Sequence, residues 1–576
     1  MPTARCPLAV GIKEQLSPAL LPCFPKGMAP LHTSSALPLQ PHLLHWGAAA
    51  AVQRARLFQD DKDFVDMPLK SNPGECPPQS AVLFPGPESP CFHHGPIVWR
   101  GAPEWRNWLY AVMQRKGCPF CACQISDEKL RSWGRVLNAK WKQLGRQVTS
   151  PWRYSLIYVP NPVIVPGGRF REYYYWDSFW ILEGLLLSNM AATAKGLIQN
   201  FLYLVSKFGH IPNGGQVYYK RRSQPPLLSP MMESYLSHTN DTEFLREHTH
   251  LYHFWQDHRA VNISVGGKQY SLNCYSVQVG EPRPKSYMKD VELAKRLREG
   301  NSELLSVAES GWDFSSRWFL PGFPSLQHPL QDTRVREIVP VDLNAILCKV
   351  EQLLATFYQV LGEKWDKEGK QVAALTVWLD YHFLHQRHNP AFYPCNLSPL
   401  WAECDVDLPR AEKMLRYLEE SSALSYANGL PTSLTQTGEQ WDFPDAWAPL
   451  QHMVITGLVK PSSAQARELA FSLAQQWLQM NLAVYEKHGG MFEKWGAYPD
   501  QRGPTCPIPL PFPLQEGFGW TNGVALQLLD LYGDQLTSAS VLCSPARAWI
   551  GTYLVLISRL PGFRGDGPVH PLWLGS

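Results

Sequence analysis

The sequence predicts an all-α fold: serial helical hairpins in one large domain, with one short β-hairpin on an insertion. Three observations carry this. Apolar residues recur at helical spacing in segment after segment, and alternating strand patterns are rare. No Gly/Ser linker or block of charge divides the middle of the 576-residue chain. The clearest stripe covers 342–361, where Leu343, Ile346, Leu347, Val350, Leu353, Leu354, Phe357 and Leu361 follow the i, i+3, i+4, i+7 rule. Asp342 is expected as its N-cap and Gly362 as its stop. Similar stripes over 178–190, 193–208, 464–482 and 521–532 predict further helices. The best strand candidate is 268–277, KQYSLNCYSV, expected as a local hairpin.

Composition narrows the function. Apolar residues at 45% are ample for a large core, and a net charge of +3 spread without a Lys/Arg run argues against nucleic acid as a partner. The 22 Trp and 50 Pro supply many flat apolar rings and many loop punctuators. Of the 13 Cys, Cys118, Cys121 and Cys123 form CPFCAC. No second CxxC or His pair follows, so plain thiols or a disulfide are expected there rather than a metal site. Sequons at Asn240, Asn262 and Asn396 are compatible with a glycosylated secretory chain. Residues 1–30 show no continuous apolar h-region, and TYLVLI at 552–557 is too short to span a bilayer.

Two segments point to chemistry. PGGRFREYYYWDSFW at 166–180 and QWDFPDAWAP at 440–449 each crowd aromatic rings, a carboxylate and amide or guanidinium groups around a turn. Aromatic faces pack against the C–H faces of pyranose rings, while Asp, Arg, Gln and Asn hydrogen-bond the hydroxyls. That mixture suits a buried sugar pocket at loop-to-helix corners. Cleaving a glycosidic bond requires one carboxylic acid to protonate the leaving oxygen and a second carboxylate to attack or to activate water. Carboxylates flanked by aromatics in otherwise uncharged turns are the informative ones, and Asp313 in ESGWDFSSRW is such a residue. Trp312 and Phe314 are expected to desolvate it, and Ser315 and Ser316 to fix its rotamer. An N-cap role at the start of FSSRW is the local alternative.

Both segments resemble the signature motifs of the trehalases, glycoside hydrolase family 37. The resemblance runs from about Arg54 to about Thr537 and includes RARLFQDDKDFVDMPLK, IPNGGQVYYKRRSQPPLL, SYMKDVELA, ESGWDFSSRW and QEGFGWTNGV. It implies an (α/α)6 toroid at 54–540, between an N-terminal extension 1–53 and a divergent tail 541–576. It also implies inverting hydrolysis of α,α-trehalose, with Asp313 as general acid and Glu493, in MFEKW, as general base. Substrate contacts carry over to Arg169, Trp176, Asp177, Asn213, Arg222, Ser223, Gln224, Arg283, Gly311, Gln440, Trp441, Asp442 and Trp520. Trp447, Phe518 and Asn522 are expected nearby, and an arginine is expected to keep Glu493 ionised. The resemblance implies a neutral disaccharide as partner and neither metal nor organic cofactor. It also implies a secreted or cell-surface location with a lipid anchor, although no anchor signal is visible.

Three departures stand out. The glycine-rich stretch that family members carry before GFGW is replaced by GAYPDQRGPTCPIPLPFPLQ, whose prolines cannot act as a glycine hinge. The family's Arg-Pro-Glu reads Arg283-Pro284-Lys285, a cation where a carboxylate touches sugar. The stretch 362–394 is rewritten. These departures keep open an alternative, a sugar-binding chain of this family with impaired catalysis.

Overall fold

The computed structural model describes residues 62, 65, 66, 124–148, 154–248, 259–319, 329–362, 378–496 and 518–539, apart from positions 266, 279, 298, 299, 405 and 462. All of them belong to one compact unit, His42–Ser576. The expected N-terminal extension, the C-terminal tail, the CPFCAC cysteines and the proline-rich stretch from Ala497 to Gln515 lie outside the described residues, as does 363–377 of the rewritten segment.

The described α-helices are, in chain order, α1 (Glu128–Leu144), α2 (Asp177–Leu187), α3 (Ala191–Phe208), α4 (Leu228–Thr239), α5 (Thr242–His248), α6 (Tyr287–Ala294) and α7 (Asn301–Ser310). They continue with α8 (Val341–Leu361), α9 (Ser398–Ala402), α10 (Leu408–Glu420), α11 (Ala448–Val459), α12 (Ala464–His488) and α13 (Gly519–Tyr532). Six of them close a ring, in which α2 packs on α4, α4 on α8, α8 on α9, α9 on α11, α11 on α13, and α13 back on α2. Outside the ring, α3 packs on α2 and α4, α5 on α8, α12 on α11 and α13, and α1 on α13. This is an (α/α)6 toroid.

Sequence explains which helices lie inside. The outer helix α1 buries one stripe, Leu130, Trp133, Leu137, Trp141 and Leu144, and turns its charged residues outward. The inner helices α9 and α13 are buried almost all round and carry little charge. The tightest crossing, α2 against α13, depends on Gly523, where a Cβ would stand 1.9 Å from the Trp180 carbonyl oxygen. Any side chain there would separate the two helices.

The stripe at 342–361 is α8, and Gly362 ends it in the left-handed conformation at φ 73°. Its start corrects the expectation. Pro340 occupies the N-cap position, and Asp342 lies in the first turn, where its carboxylate is taken up by Arg317. The expected hairpin is β1 (Ala260–Val265) with β2 (Lys268–Asn273), joined in antiparallel register from Ala260↔Asn273 to Val265↔Lys268. The strand stops at Asn273, short of the predicted 277. Its Ile263 and Leu272 pack with Val339 and Tyr381.

A disulfide joins Cys348 of α8 to Cys404, just past α9, with Cα atoms 6.2 Å apart. Asn240 and Asn262 are exposed, but Asn396 is buried, its amide donating to the Ala391 carbonyl and to Tyr417. Among the described residues no helix is long and apolar enough to cross a membrane.

Candidate active site

Four ring helices begin beside cavity-lining residues: α2 after Trp176, α4 shortly after Gln224, α11 after Trp447 and α13 after Phe518. Their N-termini therefore gather around one cavity of about 710 Å³, within the range of small-molecule sites.

The first signature builds one wall. Gly167 and Gly168 adopt positive φ, 121° and 57°, and fold a tight turn that presents Arg169 and Phe170. The Gly519 N–H donates to the Pro166 carbonyl at 2.8 Å, which ties this turn to the start of α13. Further on, the Trp176 N–H donates to Gln224 Oε1 at 3.1 Å, and Tyr175 N–H donates to the Asn213 carbonyl. These bonds bring three distant sequence segments to one wall. Behind them lies a buried polar network. Tyr174 donates to Glu172 at 2.9 Å and shares a hydrogen bond with Tyr219 at 2.7 Å, while Lys62 from the RARLFQDDK segment pairs with Glu172 and Asp66.

The second signature holds both expected catalytic carboxylates. Gln440 Nε2 donates to the Asp313 carbonyl, and Trp441 N–H donates to the Phe314 carbonyl at 3.0 Å. Asp442 accepts from Ser315 Oγ at 3.1 Å, Ser316 N–H at 2.7 Å and Ser316 Oγ at 2.7 Å. Immediately after it, β3 (Asp445–Trp447) pairs with β4 (Lys494–Gly496), which places Glu493 at the cavity edge. Trp520 Nε1–H then donates to the Glu493 carbonyl at 3.1 Å. The tryptophans form one stack: Trp441 lies parallel to Trp447 with centroids 4.0 Å apart and also stacks on Trp312 at 5.2 Å.

Charge in the cavity is ordered. Arg283 sets its fork on Asp290 at 2.8 Å and reaches Asp313 Oδ2 at 3.2 Å. Asp313 remains partly exposed to the cavity. Enclosure in the wall pushes the Glu493 carboxyl up to about 7, against the opposing pull of Lys494 and Arg169. Burial, reinforced by Glu493, holds Asp177 well above the usual carboxylate range. Below the wall, Arg317 is fully buried between Trp312 and Trp318 and binds Asp342 and Asp380 with four short hydrogen bonds.

Of the residues expected at the site, Arg169, Trp176, Asp177, Asn213, Arg222, Gln224, Arg283, Gly311, Asp313, Gln440, Trp441, Glu493 and Trp520 line the cavity. So do Trp447 and Phe518. Three expectations are corrected. Ser223 stands behind the wall, its hydroxyl donating to the Ile211 carbonyl and its N–H to Glu309. Asp442 holds the turn that carries Asp313, because Ser315 and Ser316 satisfy this buried carboxylate and not Asp313. Asn522 donates to the Leu137 carbonyl inside the helix packing. The capping role considered for Asp313 falls to Ser315, whose hydroxyl accepts from Arg317 N–H. Trp312 likewise stacks behind the wall, while Phe314 lines it.

Sequence reasoning missed Asp290, which was visible inside SYMKDVELA seven residues after Arg283, and Tyr174 and Phe170 within the first signature. One metal-capable group exists among the described residues, Glu337 with His382 and His385. None of the three lines the cavity. The His385 N–H points at His382 Nδ1 at 3.3 Å, which leaves the proton on Nε2 facing Glu337 and disfavours metal there.

The sequence profile of the Trehalase family matches residues 56–533. Trehalase of Oryctolagus cuniculus is 47% identical over 531 residues, covering 85% of this chain and 90% of its own length. Trehalase of Apis mellifera is 38% identical, covering 95% and 94%. Among solved structures, neutral trehalase Nth1 from Saccharomyces cerevisiae superimposes with a TM-score of 0.50 at 21% identity, over 69% of this chain and 77% of that one.

Proposed function

The chain belongs to the trehalase family, and from that premise we infer that it hydrolyses α,α-trehalose to two glucose molecules by an inverting two-carboxylate mechanism. One observation carries the reading: Asp313 and Glu493 face a single Trp- and Arg-lined cavity, and one sequence segment, 440–447, fixes the backbone around both. Asp313 delivers a proton to the interglycosidic oxygen as that bond breaks. Glu493 takes a proton from a water that attacks the anomeric carbon from the opposite face, and its elevated pKa suits a base working near neutrality. Arg283 orients the acid, Trp176, Trp441 and Trp520 pack the pyranose faces, and Asn213, Arg222, Gln224 and Gln440 hold hydroxyls.

The Cys348–Cys404 disulfide and the exposed sequons at Asn240 and Asn262 support a chain matured in the secretory pathway, to be checked by sensitivity to an N-glycosidase. Attachment to the cell surface through a lipid anchor rests on the family resemblance alone.

The test of the activity is glucose release from α,α-trehalose by the intact chain beside Asp313→Ala. Removing a positioned acid costs about 10²–10⁴-fold in rate, and release by the wild type should fall by that much in the variant. Sugar binding without turnover by the wild type would instead identify the catalytically impaired alternative.

A further inference from the structure

One pair of cations in the cavity has no ion-pair partner among the described residues. Lys285 follows Arg283-Pro284 on the short 3-10 turn ahead of α6 and lines the cavity. Among the described residues its ammonium makes no hydrogen bond or ion pair; its Nζ lies 5.4 Å from the centre of the Tyr219 ring. The Arg222 guanidinium lies 5.0 Å from the centre of the same ring. Arg222 is 2% exposed, its Nε has no hydrogen-bond partner among the described residues, and its Nη2 reaches Asn213 Oδ1 only at 3.4 Å. Tyr219 itself is fixed by its hydrogen bond to Tyr174.

Of the other cations lining the cavity, Arg283 is occupied by Asp290 and Asp313, and Lys494 by Asp445. The acids that could offset Lys285 are weak partners: Asp313 already shares Arg283, and Asp177 and Glu493 are held toward their protonated forms by burial. Burial, with crowding by Arg222, Arg283 and Arg169 and against the pull of Asp313, lowers Lys285 to about 7, so its charged form gains from an added anion. A hydroxyl is a modest acceptor for such a pair, whereas an oxyanion satisfies both cations with charge-assisted bonds.

We propose that Arg222 and Lys285 form an anion-binding corner of the sugar cavity, which takes the phosphate monoester or carboxylate of an acidic hexose. This rests on the reading of the cavity as a sugar site. Acidic hexoses then act as competitive ligands, held by ring stacking on the tryptophans and by their oxyanion in this corner.

The test is calorimetric binding to the intact wild-type chain at pH 6, where Lys285 is charged, using glucose, glucose 6-phosphate, glucuronate and inorganic phosphate. The expected result is that at least one acidic hexose binds about tenfold more tightly than glucose. Lys285→Gln should erase that difference, and Lys285→Arg should keep it. Equal affinity for glucose and both acidic hexoses would overturn the corner, as would a preference that survives Lys285→Gln. Inorganic phosphate binding as tightly as glucose 6-phosphate would overturn the acidic-hexose assignment. Failure of every sugar to bind would instead remove the sugar-site reading, and the corner with it.

Discussion

Arg317→Lys tests how the site is held from beneath. Arg317 donates to Asp380 at 2.7 and 2.9 Å and to Asp342 twice at 2.7 Å, with its plane between Trp312 and Trp318. A lysine ammonium is a point donor and cannot serve two carboxylates through a flat fork. If two of the four bonds are lost, at about 1.5–3 kcal/mol for each charged hydrogen bond, the cost is about 3–6 kcal/mol. Breaking a buried ion pair, at about 3–5 kcal/mol, gives the same scale. That is a large share of the roughly 5–15 kcal/mol that keeps a protein folded. The damage also reaches the cavity, because the Trp312 carbonyl accepts from Trp318 Nε1 and its ring stacks on Trp441. Denaturant unfolding should therefore show a clearly lower midpoint, and glucose release by the folded fraction should drop. An unfolding free energy within about 0.5 kcal/mol of wild type, the range of a neutral surface change, together with full activity, would refute this reasoning.

Three further outcomes follow from the same geometry. Gly311 adopts φ 80°, and a Cβ there would meet Trp176 Cζ2 at 2.7 Å. Gly311→Ala should cost about 1–2 kcal/mol in backbone strain and lower kcat/KM by displacing Trp176, seen as a weaker response to trehalose at unchanged secondary structure. Because Glu493 must be ionised to act as base and its carboxyl lies at about 7, kcat/KM should fall as pH drops through about 7. Lys285 lowers the Glu493 pKa, so Lys285→Gln should move this acidic limb to higher pH; a limb that stays put or moves down would contradict the assignment.

How much was legible in the sequence follows physical lines. Helices announced themselves by apolar period, and α8 and its glycine stop emerged where the stripe placed them, because burial on one side is written directly in residue type. The N-cap failed for a specific reason: Asp342 resembles a cap locally, but a buried arginine 25 residues upstream binds its carboxylate more strongly. The same competition moved Asp442 from the expected sugar contact to a brace, since two serines and a backbone N–H from the Asp313 turn satisfy it. The cavity residues were legible through motif resemblance, not through period, because a Glu such as Glu493 has no local signal that separates it from a surface carboxylate. The Arg222–Tyr219–Lys285 arrangement was illegible because it depends on Lys285, more than 60 residues away in sequence, reaching the same ring that the nearby Arg222 approaches.

The most direct test of the central claim is the anomeric form of the first glucose released, followed by proton NMR during the earliest turnovers of α,α-trehalose. Water attack on the face opposite the leaving oxygen predicts one α- and one β-glucose per cleavage, with both absent in Asp313→Ala. Two α-glucose molecules per cleavage, or unchanged release by the variant, would contradict the inverting role assigned to Asp313 and Glu493.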